Sequence, residues 1–307
     1  LRDLLAYARD VVQRMAELYV NAGMDVIAVV DPLVSQISPR HFKELLSEPY
    51  SAVFDVIRQQ GAYSSFFVCG DATKNIEVMC QTGPDSISID ENINLAEAKA
   101  VTDRYDITMG GNIPLTTHML LGTQLDNMKF VVDLLDRIAP EGAPRDASQG
   151  PVHRNAVPRN FILAPGCDMP YDVPAENVVG VLQAVRDPEG TAAMVANYQA
   201  ASVDLDAVVL PDYAILEKPL VEVFTLDSDT CAACSYMRDA AVRATEELAG
   251  AVEMVEYKFT EHENIARVKK MGVEKLPSIY INGELTYSSV IPSNRELLVE
   301  IEKRMKQ

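Results

Sequence analysis

Leu4, Leu5, Ala8, Val11, Val12, Met15 and Leu18 recur at helical spacing, so residues 1–22 are predicted to form an amphipathic helix that Gly23 closes. Residues 25–30 are a short apolar run of strand length, ended by Asp31-Pro32. Ser38-Pro39 has the form of a helix start, and that helix is expected to continue, broken near Pro49, to Gln60 and stop at Gly61. The alternation repeats: strands at 66–68, 86–89, 107–109 and 161–164, and helices at 73–81, 95–102, 124–138, 174–185 and 189–199. Residues 139–160 read as a loop rich in Pro, Gly and Arg. From Leu220 the order changes to strand 220–225, helix 231–249, strand 252–257, helix 262–271, strands 278–281 and 284–287, and helix 293–305.

Short apolar strands alternating with amphipathic helices predict a parallel sheet with right-handed crossovers. No Gly-x-Gly-x-x-Gly turn opens any of these units, which favours a (β/α)8 TIM barrel over a dinucleotide fold. The fold class is therefore α/β: residues 1–210 as a barrel, 211–218 as a linker and 219–307 as a compact α/β module. A whole barrel takes about 250 residues, only five units are visible, and the chain starts at Leu1 inside a helix. A barrel front of two to three further units is expected to precede it. Asp31, Cys69, Asp71, Asp90, Glu91, Asn112, Cys167 and Asp168 all follow strands, on the rim where barrels build active sites.

Charge narrows the function classes. The 307 residues hold 45 acidic and 27 basic side chains, a net charge of −18, so no basic face is available for nucleic acid. No apolar run reaches the roughly 18–20 residues that span a bilayer, and no signal peptide is visible. A cytoplasmic protein, compatible with a homodimer, is expected. Five cysteines in a chain this long do not make a secreted disulfide framework.

Cys231-Ala-Ala-Cys234 follows a strand and opens a helix, behind Asp227, Ser228, Asp229 and Thr230, which suit an N-cap. A thiol there faces backbone N–H groups and the helix dipole, which favour a thiolate. Cys234, one turn on, is expected to be the more buried, resolving thiol. Leu276-Pro277-Ser278-Ile279 enters a later strand through proline, and Asn282-Gly283 has the form of a two-residue hairpin turn. Together these features resemble the thioredoxin/glutaredoxin fold, which implies that Pro277 is a cis-proline lying against the cysteine pair.

The first 200 residues carry a second resemblance. Asp31-Pro32 with Ser38-Pro39, Cys69-Gly70-Asp71-Ala72-Thr73, Thr82-Gly83-Pro84-Asp85 running on to Asp90, Leu95-Ala96-Glu97-Ala98-Lys99, Gly111-Asn112-Ile113 and Ala164-Pro165-Gly166-Cys167-Asp168 resemble the uroporphyrinogen decarboxylase superfamily. They are most similar to its methylcobamide:coenzyme M methyltransferase branch. The resemblance implies zinc held by a His-x-Cys and by the cysteine of a later Pro-Gly-Cys. Cys69 and Cys167 match, whereas Phe67 occupies the histidine's place. Glu91 lies where a carboxylate serves as ligand in related zinc methyltransferases. Asp31, Asp90 and Asn112 are candidates for cofactor binding, with capping of the next turn as their plainer role. His118 reads as a surface or capping histidine, and Cys80 as a packing thiol.

The function these residues imply is methyl transfer from a corrinoid, carried by a partner protein, or from another small-molecule methyl donor. A thiol or pterin is the acceptor, and a thiol–disulfide module is fused behind the barrel. Two alternatives stay open: a uroporphyrinogen decarboxylase-like decarboxylase, and a thiol–disulfide oxidoreductase whose barrel is not catalytic. A tethered dithiol also has a high effective concentration at a nearby thiol site, so Cys69 and Cys167 are candidate substrates of Cys231 and Cys234.

Overall fold

A computed structural model describes residues 1–139, 158–199, 205–206 and 208–305. By packing, the chain divides into two units: residues 1–113 with 133–167, and residues 114–132 with 168–307. Most of the loop read at 139–160, and part of the stretch before the linker, lie outside the described residues.

The first unit is built on five parallel strands in sequential order: β1 (Val26–Val30), β2 (Tyr63–Val68), β3 (Ser86–Ile89), β4 (Thr108–Ile113) and β5 (Phe161–Pro165). Helix α1 (Arg2–Asn21) precedes β1, and between the strands lie α2 (Pro39–Leu45), α3 (Ser47–Gln59), α4 (Ile76–Cys80), α5 (Leu95–Asp103) and α6 (Gln124–Arg137), of which only the last residues belong to this unit. Boundaries follow local chemistry. Gly23 and Gly61 take positive φ just beyond helix ends, as predicted, and Gly83 does the same after α4. Ser38 Oγ accepts from the His41 N–H to start α2, with Pro39 in the first turn. The helical break falls at Leu46, and Pro49 sits in the first turn of α3, where its missing N–H costs nothing.

Phe42, Phe54 and Phe66 are fully buried under α2 and α3. The Tyr50 ring lies 4.5 Å from that of Phe66, and Phe54 lies 5.4 Å from it. Strand β4 runs further than the apolar pattern showed, through Gly110, Gly111 and Asn112 to Ile113. A Cβ at Gly110 would stand 2.4 Å from Ser88 Oγ, and one at Gly111 3.0 Å from the Ile89 carbonyl. The glycines that suggested a turn lie against β3, where a Cβ would crowd Ser88 and Ile89, and Gly111 also takes a φ of +130°. The peptide bond Gly111–Asn112 is cis.

The described strands make five of a barrel's eight units, with β1 and β5 at the edges of the sheet. The sheet is nevertheless curled. Three strand spacings separate β2 from β5, about 14 Å if flat, yet side chains following these strands touch (Cys69 and Cys167, below). Curling of sequential parallel strands is the TIM-like arrangement.

In the second unit, residues 115–120 form a turn of π-helix where no helix was expected. Asn177, on α7 (Ala175–Arg186), donates from Nδ2 to the carbonyls of Met119 (2.9 Å) and Gly122 (2.8 Å). Helix α8 (Pro188–Val195) follows, capped by Asp187. The C-terminal module contains β6 (Leu220–Thr225), α9 (Ala232–Glu247), β7 (Glu253–Lys258), α10 (His262–Lys270), β8 (Ser278–Ile281), β9 (Glu284–Ser288) and α11 (Asn294–Met305). Its sheet has the order β7-β6-β8-β9, with β6 parallel to β7 and antiparallel to β8. Val221, Val223, Ile279 and Ile281 form a core with Met237, Ala241, Leu297 and Ile301 of α9 and α11. Asn282 and Gly283 both have positive φ in the β8–β9 hairpin, the type I′ geometry that Asn-Gly predicts. No helix among the described residues is long and apolar enough to cross a membrane.

Candidate functional site

The chain holds two pairs of neighbouring thiols, Cys69 with Cys167 and Cys231 with Cys234. Cys69 follows β2 directly, and Gly70 turns the chain at φ +78°. A carboxylate from the next strand fixes that turn: Asp90 Oδ2 accepts the Gly70 N–H at 2.8 Å. Asp90 Oδ1 accepts from the backbone N–H (2.9 Å) and Nδ2 (2.6 Å) of Asn92. Asn112 is buried in β4 and donates from Nδ2 to the carbonyls of Asp90 (3.0 Å) and Ile93 (2.7 Å). On the other side Gly166 donates its N–H to the Ile113 carbonyl at 3.0 Å. A Cβ at Gly166 would stand 2.6 Å from the Glu91 backbone nitrogen, so only glycine lets the turn before Cys167 sit against Glu91. The outcome is a sulfur–sulfur contact of 3.2 Å between Cys69 and Cys167, residues 98 apart in the chain. Cys69 is buried and Cys167 half-buried, and both stand as thiols.

Electrostatics at this site centre on Asp90. Burial raises its pKa, and the hydrogen bonds from Gly70 and Asn92 pull the other way. Asp31, at the end of β1, accepts from the Leu33 N–H at 2.9 Å and from the Tyr50 hydroxyl. Burial first, and Asp31 second, push the Tyr50 phenol up. Asp31, Asp90 and Asn112, the candidates for cofactor binding, are thus engaged by their own chain: Asp31 caps a turn, and the other two hold the loops that bring the thiols together.

The fit to zinc is one of type and not of number. Two thiolates are good zinc ligands, but structural and catalytic sites take three or four protein ligands. Among the described residues no group of three or more His, Cys, Asp and Glu side chains is arranged to hold a metal ion. Glu91 is placed beside the Cys167 turn through its backbone and Cβ. His118 is half-buried and not a surface residue as expected: its ring packs edge-on to Phe130 at 4.9 Å, and Nδ1 lies 2.9 Å from the Thr117 hydroxyl. Desolvation lowers its pKa. Cys80 is a packing thiol, 3% exposed, and burial pushes its pKa up to about 12.

The second pair sits where β6 delivers the chain to α9. Cys231 is itself the N-cap: its sulfur accepts the Cys234 N–H at 3.4 Å. This corrects the expectation that one of Asp227, Ser228, Asp229 and Thr230 caps the helix. Those residues form the preceding turn, with the Cys231 N–H on the Asp227 carbonyl at 2.8 Å, and the carboxylates of Asp227 and Asp229 pair with Lys258 instead. Cys234 is 1% exposed against 7% for Cys231, the predicted order. Burial and the neighbouring Cys231 hold the Cys234 thiol well above its usual pKa, so it is the protonated member. The Leu276–Pro277 bond is cis, and Pro277 is buried at the entry to β8.

One buried group escaped the sequence reading. Glu222, in the middle of β6, is wholly buried. It accepts from the Tyr213 hydroxyl at 2.8 Å and pairs with Arg267 at 3.4 Å. Arg267 also lies 4.5 Å above the Tyr257 ring. The signal was a lone carboxylate in an otherwise apolar strand.

Sequential parallel strands carrying reactive side chains at their C-terminal ends, followed by a four-stranded sheet with a helix-capping Cys-x-x-Cys, define the class: a TIM-like sheet joined to a thioredoxin-like module. The comparisons give both parts. The uroporphyrinogen decarboxylase (URO-D) family matches residues 1–188, and a thioredoxin domain matches residues 220–302. The chain belongs to the uroporphyrinogen decarboxylase family and carries a thioredoxin domain at its C-terminal end. It is 29% identical over 196 residues to the methylcobamide:CoM methyltransferase MtaA of Methanosarcina barkeri (strain Fusaro), covering 60% of this chain and 49% of that protein. It is 26% identical over 136 residues to MtbA of Methanosarcina acetivorans, named for the same activity, covering 43% and 39%. The chain thus spans less than half the length of these two relatives. A solved methyltransferase from Methanosarcina mazei, 23% identical, covers 59% of this chain and 47% of its own, with a TM-score of 0.47.

Proposed function

We propose that this chain is a methyltransferase of the decarboxylase superfamily that transfers a methyl group at the Cys69–Cys167 site. The donor is a methylated corrinoid, carried by a partner protein or free, and the acceptor is a thiol or a pterin. The observation that carries this reading is the 3.2 Å thiol pair on the C-terminal rim of the sheet, in a family member similar to methylcobamide:CoM methyltransferases. In the proposed reaction the methyl–cobalt bond breaks with both electrons staying on cobalt. A new methyl–sulfur or methyl–nitrogen bond forms, and the acceptor's proton is released. The chain's own part is to hold the two sulfurs in place: Asp90 fixes the Gly70 turn, Asn112 fixes the Asp90 loop, and Gly166 admits Cys167 against Glu91. The cysteine pair supplies only two of the donors zinc needs, so no step is assigned to a metal. Cys231 and Cys234, with Pro277, act as a thiol–disulfide unit.

The test is loss of the methylcobalamin spectrum on incubation of the full chain with coenzyme M or a reduced pterin. Turnover that falls to background in Cys69→Ala and in Cys167→Ala is expected. Decarboxylation of a porphyrinogen without methyl transfer would replace this reading with the decarboxylase one.

A further inference from the structure

We propose that Cys69 and Cys167 form a reversible disulfide, and that the Cys231–Cys234 dithiol of this chain is its reductant. The inference goes beyond the methyl-transfer reading and uses the same thiol pair. Three observations carry the disulfide, and the presence of a second dithiol on the same chain carries the choice of reductant. The two sulfurs are already 3.2 Å apart. A disulfide bond is about 2.05 Å long, so about one ångström of approach closes it. The turns that present them are pinned by Asp90 on one side and by the close seat of Gly166 on the other, so the pair is held together before any bond forms. Among the described residues no third ligating side chain completes a metal site around them. A preorganised pair of thiols that lacks a metal's full ligand set has the composition of a two-electron redox couple.

The order of attack follows from exposure. In the oxidised pair Cys167, half-buried, is the sulfur open to a nucleophile, and Cys69, 5% exposed, is the leaving group. Cys231 is the outer member of its own pair and holds a helix N-terminus. Its thiolate attacks Cys167 Sγ, the Cys69–Cys167 bond breaks, and Cys69 leaves as a thiolate that takes up a proton. Cys234 then loses its proton and attacks Cys231 Sγ, closing the Cys231–Cys234 disulfide and releasing Cys167. Two electrons and one proton pass from one pair to the other, and Cys167 is left as the thiolate in place of Cys231. A low-molecular-weight disulfide forms the Cys69–Cys167 bond in the first place, being reduced to two thiols, and a small dithiol re-reduces Cys231–Cys234.

The experiment uses the full chain, oxidised glutathione as oxidant and limiting dithiothreitol as electron source, with differential alkylation and peptide mass spectrometry as readout. Oxidation is expected to yield a peptide linked through Cys69 and Cys167. On addition of dithiothreitol the two thiols should return about tenfold faster in the wild type than in Cys231→Ser, the advantage of a tethered reductant. Cys234→Ser, which cannot resolve the intermediate, should accumulate a peptide linked through Cys231 and Cys167. Cys231→Ala serves as a second variant, and far-UV circular dichroism checks that all three fold. Absence of the Cys69–Cys167 linkage overturns the proposal, and so does equal recovery in the wild type and the Cys231 variants or absence of the trapped cross-link. None of these readouts depends on methyl transfer, so the two readings fail separately.

Discussion

The molecule makes a pair of thiols twice, by opposite means. Cys231 and Cys234 belong to one turn of one helix, so their proximity is written in four consecutive residues and needs only that α9 begins there. Cys69 and Cys167 come from strands separated by two others and meet only because the sheet curls and its loops are fixed. The first arrangement depends on local chemistry; the second depends on strand register, on Asp90, and on glycines whose missing side chains allow close approach. A site of the second kind is easier to lose through substitutions that never touch it.

The largest expected effect is on the local pair. Cys231→Ser removes the attacking sulfur, since a hydroxyl cannot replace a thiolate as nucleophile toward a disulfide. Disulfide reduction, measured with insulin as substrate, is expected to fall to background with little change in stability. The Cys69–Cys167 pair calls for a different kind of break. Phe66→Ala removes a wholly buried ring three residues before Cys69, packed on Tyr50, Phe54 and Phe42. It should cost about 3–5 kcal/mol in urea unfolding of the transition that carries the sheet. Reactivity of Cys69 toward a maleimide should rise, while insulin reduction through Cys231 persists.

The same contrast explains what could be read from the chain beforehand. The C-terminal module was legible almost element by element, because strand, Cys-x-x-Cys, Leu-Pro and Asn-Gly are short-range signals with local causes. The order of the parallel strands was legible too, from apolar runs alternating with helical periodicity. The extension of β4 through Gly110 and Gly111 was not, because those glycines answer to Ser88 and Ile89 on a neighbouring strand. Nor was the π-helical turn at 115–120, where Asn177 holds the Met119 carbonyl from 58 residues away and that of Gly122, just beyond the turn, from 55. Asp90 and Asn112 stood out as polar residues at strand ends, but their partners could not be named from spacing. Cys231 was seen at the helix N-terminus and missed as the cap itself, because sulfur is a weak acceptor beside the four polar residues before it.

A finer test of the non-local pair is Gly166→Ala. The new methyl group would stand 2.6 Å from the Glu91 nitrogen and 2.9 Å from its Cβ, and the first of these is backbone that cannot swing aside. Overpacking of this kind costs about 1–3 kcal/mol. More telling than the stability loss is the geometry: the Cys167 turn must move off Glu91. Oxidative closure of Cys69 with Cys167 is therefore expected to slow, although both cysteines remain. Alkylation under oxidised glutathione reads this directly. Closure at the wild-type rate would show that the turn tolerates the methyl group and that the pair is less dependent on distant packing than its structure implies.

The smallest expected effect bears on the module with the local pair, at a buried long-range polar cluster. Glu222 is buried beneath Tyr213 and Arg267, and burial raises its pKa while its two partners oppose the rise. A carboxyl with a raised folded-state pKa favours its protonated form in the folded chain. The stability this gives is fully present below the unfolded value, near 4.3 for glutamate, and is lost as pH rises through the folded one. Glu222→Gln keeps an oxygen for the Tyr213 hydroxyl and removes the titration. It should shift stability at neutral pH by less than about 1.5 kcal/mol, the scale of one hydrogen bond. Urea midpoints measured from pH 4 to 8 should fall less steeply with rising pH in the variant than in the wild type. Parallel curves would mean that Arg267 holds Glu222 ionised throughout that range, and that the module's stability is as local in origin as its thiol pair.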